Sequence, residues 1–337
     1  MMTAITAGAT SCIYPHRSDA GGRYGLAVGL RESHGWIGVA ALCGAVLATA
    51  FLGNACGAAK PPAALESPHA GVYFGAKAGP RESDVAKLER LLGRKLAIRA
   101  IFVSWEEQWP DERVRADHRN GRLSLVTWAG TDLGSIAAGA CDTLIRERAH
   151  AVKNLGFPIF VRWGAEMNGD WHAWGKQPTA YVDAWRRIHT IFEEEGAPNV
   201  AWVWSPSIPQ GDWDAYYPGD SYVDWIGGDS YNWGLSRPDT RWQPFAELLA
   251  PFYKYATGKE KPLMLAEIGS AEQGGRKSEW VQTAFGALEE RFPAVKAWIH
   301  QQYEDGEADW RVNSSPESLA AYRQIVNSDY LAAFPAG

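Results

Sequence analysis

PIFVRWGAEMNGDWHAW, residues 158–174, passes in one step from an apolar run to side chains unsuited to a core. PIFV has the length and composition of a buried strand. The thirteen residues after it hold an Arg, a Glu, an Asn, an Asp and three Trp. Charges are rarely buried, and buried polar groups need partners, so most of this crowd belongs against a cavity, a ligand or water. A strand that ends directly in such residues points to a fold whose chemistry sits at strand ends.

Outward from that stretch the same rhythm repeats. Short apolar runs occur at GVYF (71–74), AIRAIFV (97–103), LSLV (123–126), PIFV (158–161), VAWVW (200–204), VDWIG (223–227), PLMLA (262–266) and VKAWI (295–299). Between them lie patterns of period near 3.6, such as Val85, Leu88, Leu91 and Leu92 before Gly93, or Tyr181, Trp185, Ile188 and Phe192 before Gly196. Further patterns run through Leu144 to Leu155, Phe245 to Phe252, Trp280 to Leu288 and Leu319 to Val326. Eight buried runs alternating with helices predict an α/β fold, a (β/α)8 TIM barrel, over 69–337. A doubly wound open sheet would alternate similarly, but no glycine-rich phosphate loop follows the first run.

The chain has 337 residues, 46% of them hydrophobic, which is ample for a large core. Its net charge of -6 and lack of a basic cluster argue against nucleic acid as a partner. Residues 1–56 read as an N-terminal extension. WIGVAALCGAVLATAFL (36–52) is uncharged, follows Arg23 and Arg31, and precedes small residues around Cys56, the pattern of an export signal or short anchor. A secreted or cell-surface location is expected, with lipid attachment at Cys56 as one form of it and the membrane touched only through that anchor. Residues 57–68, including KPPAALESP (60–68), read as a linker. Cys12, Cys43 and Cys56 belong to the extension, which leaves Cys141 alone in the body as a small buried hydrophobe. No disulfide framework, metal site or cofactor is expected, and the chain is expected to be a monomer.

In barrels of this kind the residues just past each strand carry the chemistry. Trp105 follows the second run, Trp128 the third, Arg162 to Trp174 the fourth, Asp229 and Tyr231 the sixth, and Glu267 the seventh. Glu166 and Glu267 therefore converge on one face, ringed by some of the seventeen tryptophans. Two carboxyl groups about 5–5.5 Å apart can cleave a glycosidic bond with retention, one as acid and one as nucleophile. Sugar rings present C–H faces that stack on indoles. As the acid, Glu166 is expected to have its pKa raised by burial and by the charge of Glu267, against the pull of Arg162. For Trp105 and Trp128, cleft lining and core packing both stay open.

The stretches RWGAEMNGDWHAW, GAPNVAWVWSP (196–206), YYPGDSYVDWIGGDSYNW (216–233), KPLMLAEIGS (261–270) and DWRVNSSPESLAAYR (309–323) together resemble glycoside hydrolase family 26. The resemblance runs in order from about Gly71 to Arg323. It implies Glu166 as acid/base, Glu267 as nucleophile, Arg162 as a support of the catalytic centre, Trp171 as an aromatic of the sugar site, and Asp229 with Tyr231 as the polar pair beside the nucleophile. It also implies that Trp310 stacks on substrate and that Arg311 reaches a more distant sugar. One position departs from the pattern, because Ala165 stands where the family has His before the acid. Losing a hydrogen bond to a sugar hydroxyl there would cost about 1–3 kcal/mol.

The function expected is a retaining endo-β-glycanase acting on a β-linked polysaccharide. β-1,4-Mannan ranks first by the weight of the family, ahead of mixed-linkage β-1,3-1,4-glucan and β-1,3-xylan. A reading from another class is a non-catalytic carbohydrate-binding lipoprotein, motivated by Ala165. A metal hydrolase built on His150, His172, His189 and His300 fits no helix-face pair such as H-E-x-x-H.

Overall fold

Parallel strands wind into a closed cylinder in the computed structural model, which describes residues 65 and 67–332. In chain order the elements are β1 (Val72–Lys77), α1 (Glu82–Leu92), β2 (Ile98–Val103), α2 (Glu112–Arg119), β3 (Leu123–Trp128), α3 (Leu133–Ala137), α4 (Asp142–Lys153), β4 (Ile159–Trp163), α5 (Pro178–Glu194), β5 (Val200–Trp204), β6 (Trp225–Asn232), α6 (Phe245–Thr257), β7 (Leu263–Ser270), α7 (Lys277–Glu290), β8 (Val295–Gln301), α8 (Pro316–Val326) and β9 (Leu331–Ala332). Each of the first seven strands pairs in parallel with the next, and β1 pairs with both β8 and β2, which closes the barrel. The two-residue β9 adds to β1. This is the (β/α)8 architecture that the eight apolar runs predict.

The elements depart from the sequence reading in two ways. Several strands run past their apolar stretch: Arg162, Asp229, Tyr231 and Glu267 lie within strands rather than after them. The backbone ladder continues where the lining changes from apolar to polar, and hydropathy alone sees only the change. Helices also differ. α2 (ERVRADHR) is too charged to show an apolar stripe, and its start is fixed by Asp111, whose side chain accepts from the Arg113 N–H at 2.9 Å. Between β5 and β6 the described chain makes two 3-10 turns, Trp213–Tyr216 and Asp220–Tyr222, in place of an α-helix.

Alternation along the strands positions the site. Side chains two apart share a face, so Ile98 and Ala100, Leu123 and Leu125, Ala201 and Val203, and Ala297 and Ile299 fill the barrel. Each large aliphatic buried this way contributes about 1.5–3 kcal/mol. Leu65, placed in the linker by the sequence reading, belongs to the same core, and the Trp225 N–H donates to its carbonyl at 3.3 Å. One step further along the inward positions the residues turn polar: Thr127 on β3, Arg162 on β4 and Ser205 after β5. On β7 the pairing slips between Leu265 and Glu267, which face Gly228 and Asp229 of β6. This bulge, with Ala266 as the extra residue, lets Glu267 enter the polar layer beside Asp229.

Among the described residues no helix is long and apolar enough to cross a membrane. The 36–52 segment, Cys12, Cys43, Cys56 and most of the linker lie outside the described residues. Cys141 is buried.

Candidate active site

The polar layer is organised by one guanidinium. Arg162 is fully buried at the end of β4 and uses all three of its nitrogens. Its Nε donates to Thr127 Oγ1 at 3.1 Å, and its Nη1 to both carboxylate oxygens of Asp229 at 2.8 and 2.9 Å. Its Nη2 donates to Glu267 Oε1. A planar fork of fixed donors suits this role, which a lysine could fill only in part. Burial pulls the Arg162 pKa down, but Asp229, Glu267 and Glu166 outweigh it and raise the pKa, so the group stays charged. Asp229 is pushed well up by burial, against Arg162 and with Glu267 and Glu166 adding to the rise, and it also accepts from Ser205 Oγ at 2.9 Å.

Glu267 is held at both oxygens. Tyr231 Oη donates to its Oε2 at 2.7 Å, opposite the Arg162 contact. Burial and the neighbouring Glu267 push the Tyr231 hydroxyl well above its ordinary pKa, so it keeps the proton it donates. A carboxylate fixed by two such donors is held in one orientation.

Glu166 is held differently. It is the third residue past β4, with φ +57, after Gly164 with φ +52. A left-handed conformation costs a non-glycine residue about 1–3 kcal/mol and is kept where surrounding bonds over-determine it. Here the Glu166 N–H donates to the Ser205 carbonyl and the Gly169 N–H returns to the Glu166 carbonyl, each at 2.9 Å. The carboxylate Oε2 accepts from Trp171 Nε1 at 2.9 Å, while Oε1 accepts no hydrogen bond among the described residues. Trp171 lies so tightly over Gly169 that a Cβ there would come within 2.4 Å of the indole.

The expected rise in the Glu166 pKa is corrected by this environment. Burial does push the carboxyl up, but the His172 imidazole, the Trp171 N–H and the Arg162 charge together hold it below the ordinary range. In the free protein Glu166 is therefore ionised. Acting as an acid requires a proton taken up with the substrate, whose bulk would expel water and raise the cost of the charge.

Two cavities meet at the carboxylates. One of about 540 Å³ is lined by Trp171, Tyr231, Trp233, Tyr303 and Trp310, with Glu166 and Glu267 at its border. The other, of about 130 Å³, lies against Thr127, Trp128, Ala165, His172 and Trp174 and is bordered by the same two glutamates. Trp171, its N–H held by Glu166, is 48% exposed.

The remaining candidates divide. Trp310 reaches the larger cavity, yet it is fully buried, edge-on to Trp233 at 4.7 Å and with its N–H on Asp305. The ring is thus enclosed by protein. Trp128 is also buried, and it lines the smaller cavity. Trp105 borders neither cavity: it stacks on Trp128 at 4.4 Å and 4°, and its carbonyl accepts the Trp128 N–H, so it is core support. Arg311 is turned to Asp309 and Glu304 and lines neither cavity.

Trp233, which follows the sixth apolar run, lines the larger cavity, as do Tyr303 and Gln243; sequence reasoning passed over the latter two and Lys77. Lys77 Nζ sits over the rings of Phe102 and Tyr303 at 4.0 and 4.7 Å. Burial lowers its pKa while Glu267 raises it, which places the ammonium within electrostatic reach of that carboxylate. As the last residue of β1, Lys77 was open to the same strand-end reading that found Glu267. Of the four histidines weighed as metal ligands, His150 faces Glu195, His189 faces Glu193, His300 faces Tyr322 and His172 faces Glu166, each at a separate place.

Comparison with known proteins places this geometry in context. Residues 133–270 match the family model described as Glycosyl hydrolase family 26. Endoglucanase H of Acetivibrio thermocellus is 35% identical over 280 residues, covering 77% of this chain and 31% of that protein. Mannan endo-1,4-beta-mannosidase A and B of Caldalkalibacillus mannanilyticus is 29% identical over 152 residues, covering 42% of this chain and 27% of that protein. The chain thus spans about a third of the length of such curated relatives. Among solved structures, the catalytic domain of the Bacillus sp. JAMB-750 endo-beta-1,4-mannanase superposes with a TM-score of 0.61 at 17% identity, covering 79% of this chain and 88% of that one. At that identity the likeness shows a shared fold.

Proposed function

The chain belongs to glycosyl hydrolase family 26, and on that footing we propose that it is a retaining endo-β-glycanase with Glu267 as nucleophile and Glu166 as acid/base. The observation that carries this reading is the unequal support of two carboxylates that border the same two cavities. Glu267 is clamped at both oxygens by Arg162 and Tyr231, as an attacking carboxylate needs to be. Glu166 keeps one oxygen free to meet a leaving group. Space on both sides of the pair suits a chain cut internally.

In the first step Glu267 bonds to the anomeric carbon as the glycosidic C–O bond breaks, and Glu166 gives its proton to the departing oxygen. In the second, the ionised Glu166 takes a proton from water, the water oxygen bonds to the anomeric carbon, and the ester to Glu267 breaks. Two inversions give net retention. Arg162, shared between Asp229 and Glu267, keeps the nucleophile oriented through both.

For the substrate, the likeness to an endoglucanase extends over most of the chain, whereas the likeness to mannanases covers less than half. This supports a β-glucan as the first substrate to test, with β-1,4-mannan, first in the sequence reading, and β-1,3-xylan beside it. Incubation with lichenan, barley β-glucan, galactomannan and β-1,3-xylan, followed by product sizing and ¹H NMR of the first anomer formed, tests the proposal. Oligosaccharides released with the β configuration from one of these support it. No turnover of any, with measurable binding, would favour the carbohydrate-binding alternative. Export, with or without a lipid at Cys56, belongs to the same proposal, and mass spectrometry of the mature N-terminus after expression in a bacterial host tests it.

A further inference from the structure

The turn that carries Glu166 doubles back and brings a second ring to the carboxylate. Asn168 pins the turn, its amide donating to the carbonyls of Ser207 and Gly211 at 2.8 and 2.9 Å and accepting from the Ser207 N–H at 2.8 Å. The Lys176 N–H closes it on the Met167 carbonyl at 2.9 Å, and Trp174 Nε1 donates to the Ala165 carbonyl at 2.9 Å. The His172 imidazole stacks on that anchored Trp174 at 4.3 Å and 10°. Its Nε2 then lies 3.6 Å from Glu166 Oε2, the oxygen that already accepts from Trp171. That separation is longer than a good hydrogen bond but within ion-pair reach. The small side chain of Ala165 leaves the cavity between His172, Trp174 and the two glutamates open.

We propose that His172 is a positioning residue for the acid/base step: with Trp171 it holds Glu166 Oε2, leaves Oε1 for the glycosidic oxygen, and sets the upper pH limit of turnover. This rests on the glycosidase reading above. A phenylalanine could make the same stack on Trp174, so packing alone does not call for an imidazole. Only the ring nitrogen reaches the carboxylate, and its contact favours the ionised form of Glu166. The other charged or titratable groups facing Glu166 are Arg162 from β4, Asp229 and Tyr231 from β6, Glu267 from β7 and Tyr303 after β8. Of these only Arg162 favours the carboxylate form of Glu166, and its forks are already committed to Asp229 and Glu267.

The sign of the effect follows. Removing a contact that stabilises the carboxylate raises its pKa, so the protonated acid persists to higher pH. The test is the pH dependence of kcat/KM for the full chain and for His172→Phe and His172→Gln, on whichever β-glycan the full chain cleaves. In His172→Phe the alkaline limb is expected to move up by half a pH unit or more while the acid limb stays. His172→Gln, which keeps a donor, is expected to move less. Titration of the ¹³C-labelled Glu166 carboxyl by NMR in the full chain and in His172→Phe reads the same pairing without turnover. A Glu166 titration that does not move in a folded His172→Phe overturns the proposal. Failure of the full chain to cleave any β-glycan overturns the glycosidase reading instead, and the two failures are thereby separate.

Discussion

Arg162 concentrates the electrostatics of the site on one side chain. It is buried between two carboxylates that would otherwise repel each other, so replacing it leaves charge without a partner. Arg162→Lys keeps the charge and loses the fork. The expected outcome is lower stability, because a lysine cannot reach Thr127, Asp229 and Glu267 together, and a fall of roughly a hundredfold or more in kcat from misplacement of Glu267. Urea unfolding and steady-state kinetics check the two arms. Tyr231→Phe removes one charge-assisted donor from Glu267. It should cost about 1.5–3 kcal/mol of transition-state stabilisation, roughly ten- to a hundredfold in kcat, with little change in Tm. Both glutamates are legible in the sequence because each ends or closely follows an apolar run. Their electrostatic settings are not, since Trp171 and His172 reach Glu166 only through the left-handed turn at Gly164 and Glu166. Trp105, open between cleft and core in the sequence, stacks on Trp128, and Arg311 pairs with Asp309; adjacency to a strand end does not say which way a side chain turns.

The loop from Gly164 to Gly175 behaves as one element. Its glycines let the Trp171 indole close over the backbone, so a methyl group is enough to disturb it. Gly169→Ala should displace Trp171 from Glu166, lower kcat, and move the alkaline limb of the pH profile upward, because the 2.9 Å donor to the carboxylate is then lost. Circular dichroism that stays native while the profile shifts is the expected result. The strands were legible as apolar runs, yet their true ends were not. A barrel strand continues its ladder into polar positions, and the bulge at Ala266 changes which face Glu267 takes. α2 was not legible because its buried face has only Val114 and Asp117, the latter paired with the buried Arg99 and Arg122. Nothing in hydropathy distinguishes such a helix from a charged loop.

Across the whole molecule, burial sets the response to acid. His300, enclosed against Phe74 and Tyr322, has its imidazole pushed down to about 3, chiefly by burial with Lys277 adding. His189 is pushed down to about 4 by burial. An unfolded histidine titrates near 6.5. Between that value and the depressed folded ones, the unfolded chain binds protons that the folded chain refuses. Stability contributed by these two groups is therefore present above about pH 6.5 and is lost as pH falls toward 3–4. The expected outcome is a Tm that drops on going from pH 7 to pH 4.5, and a smaller drop in His300→Phe, measured by scanning calorimetry. Leu65 tests the extent of the fold at the same scale. Leu65→Ala should destabilise the barrel by about 2–5 kcal/mol although the sequence places this residue in a linker, and its core position was hidden by the prolines and alanines around it.

In the proposed reaction Glu267 is the group that bonds to sugar. The most direct measurement is azide rescue of Glu267→Ala on an activated aryl β-glycoside of the preferred sugar, with the product anomer read by NMR. The variant should be inactive alone, and azide should restore turnover by attacking from the vacated face to give a glycosyl azide of inverted, α configuration. Ordinary hydrolysis at an undiminished rate, or an azide product of β configuration, would contradict it.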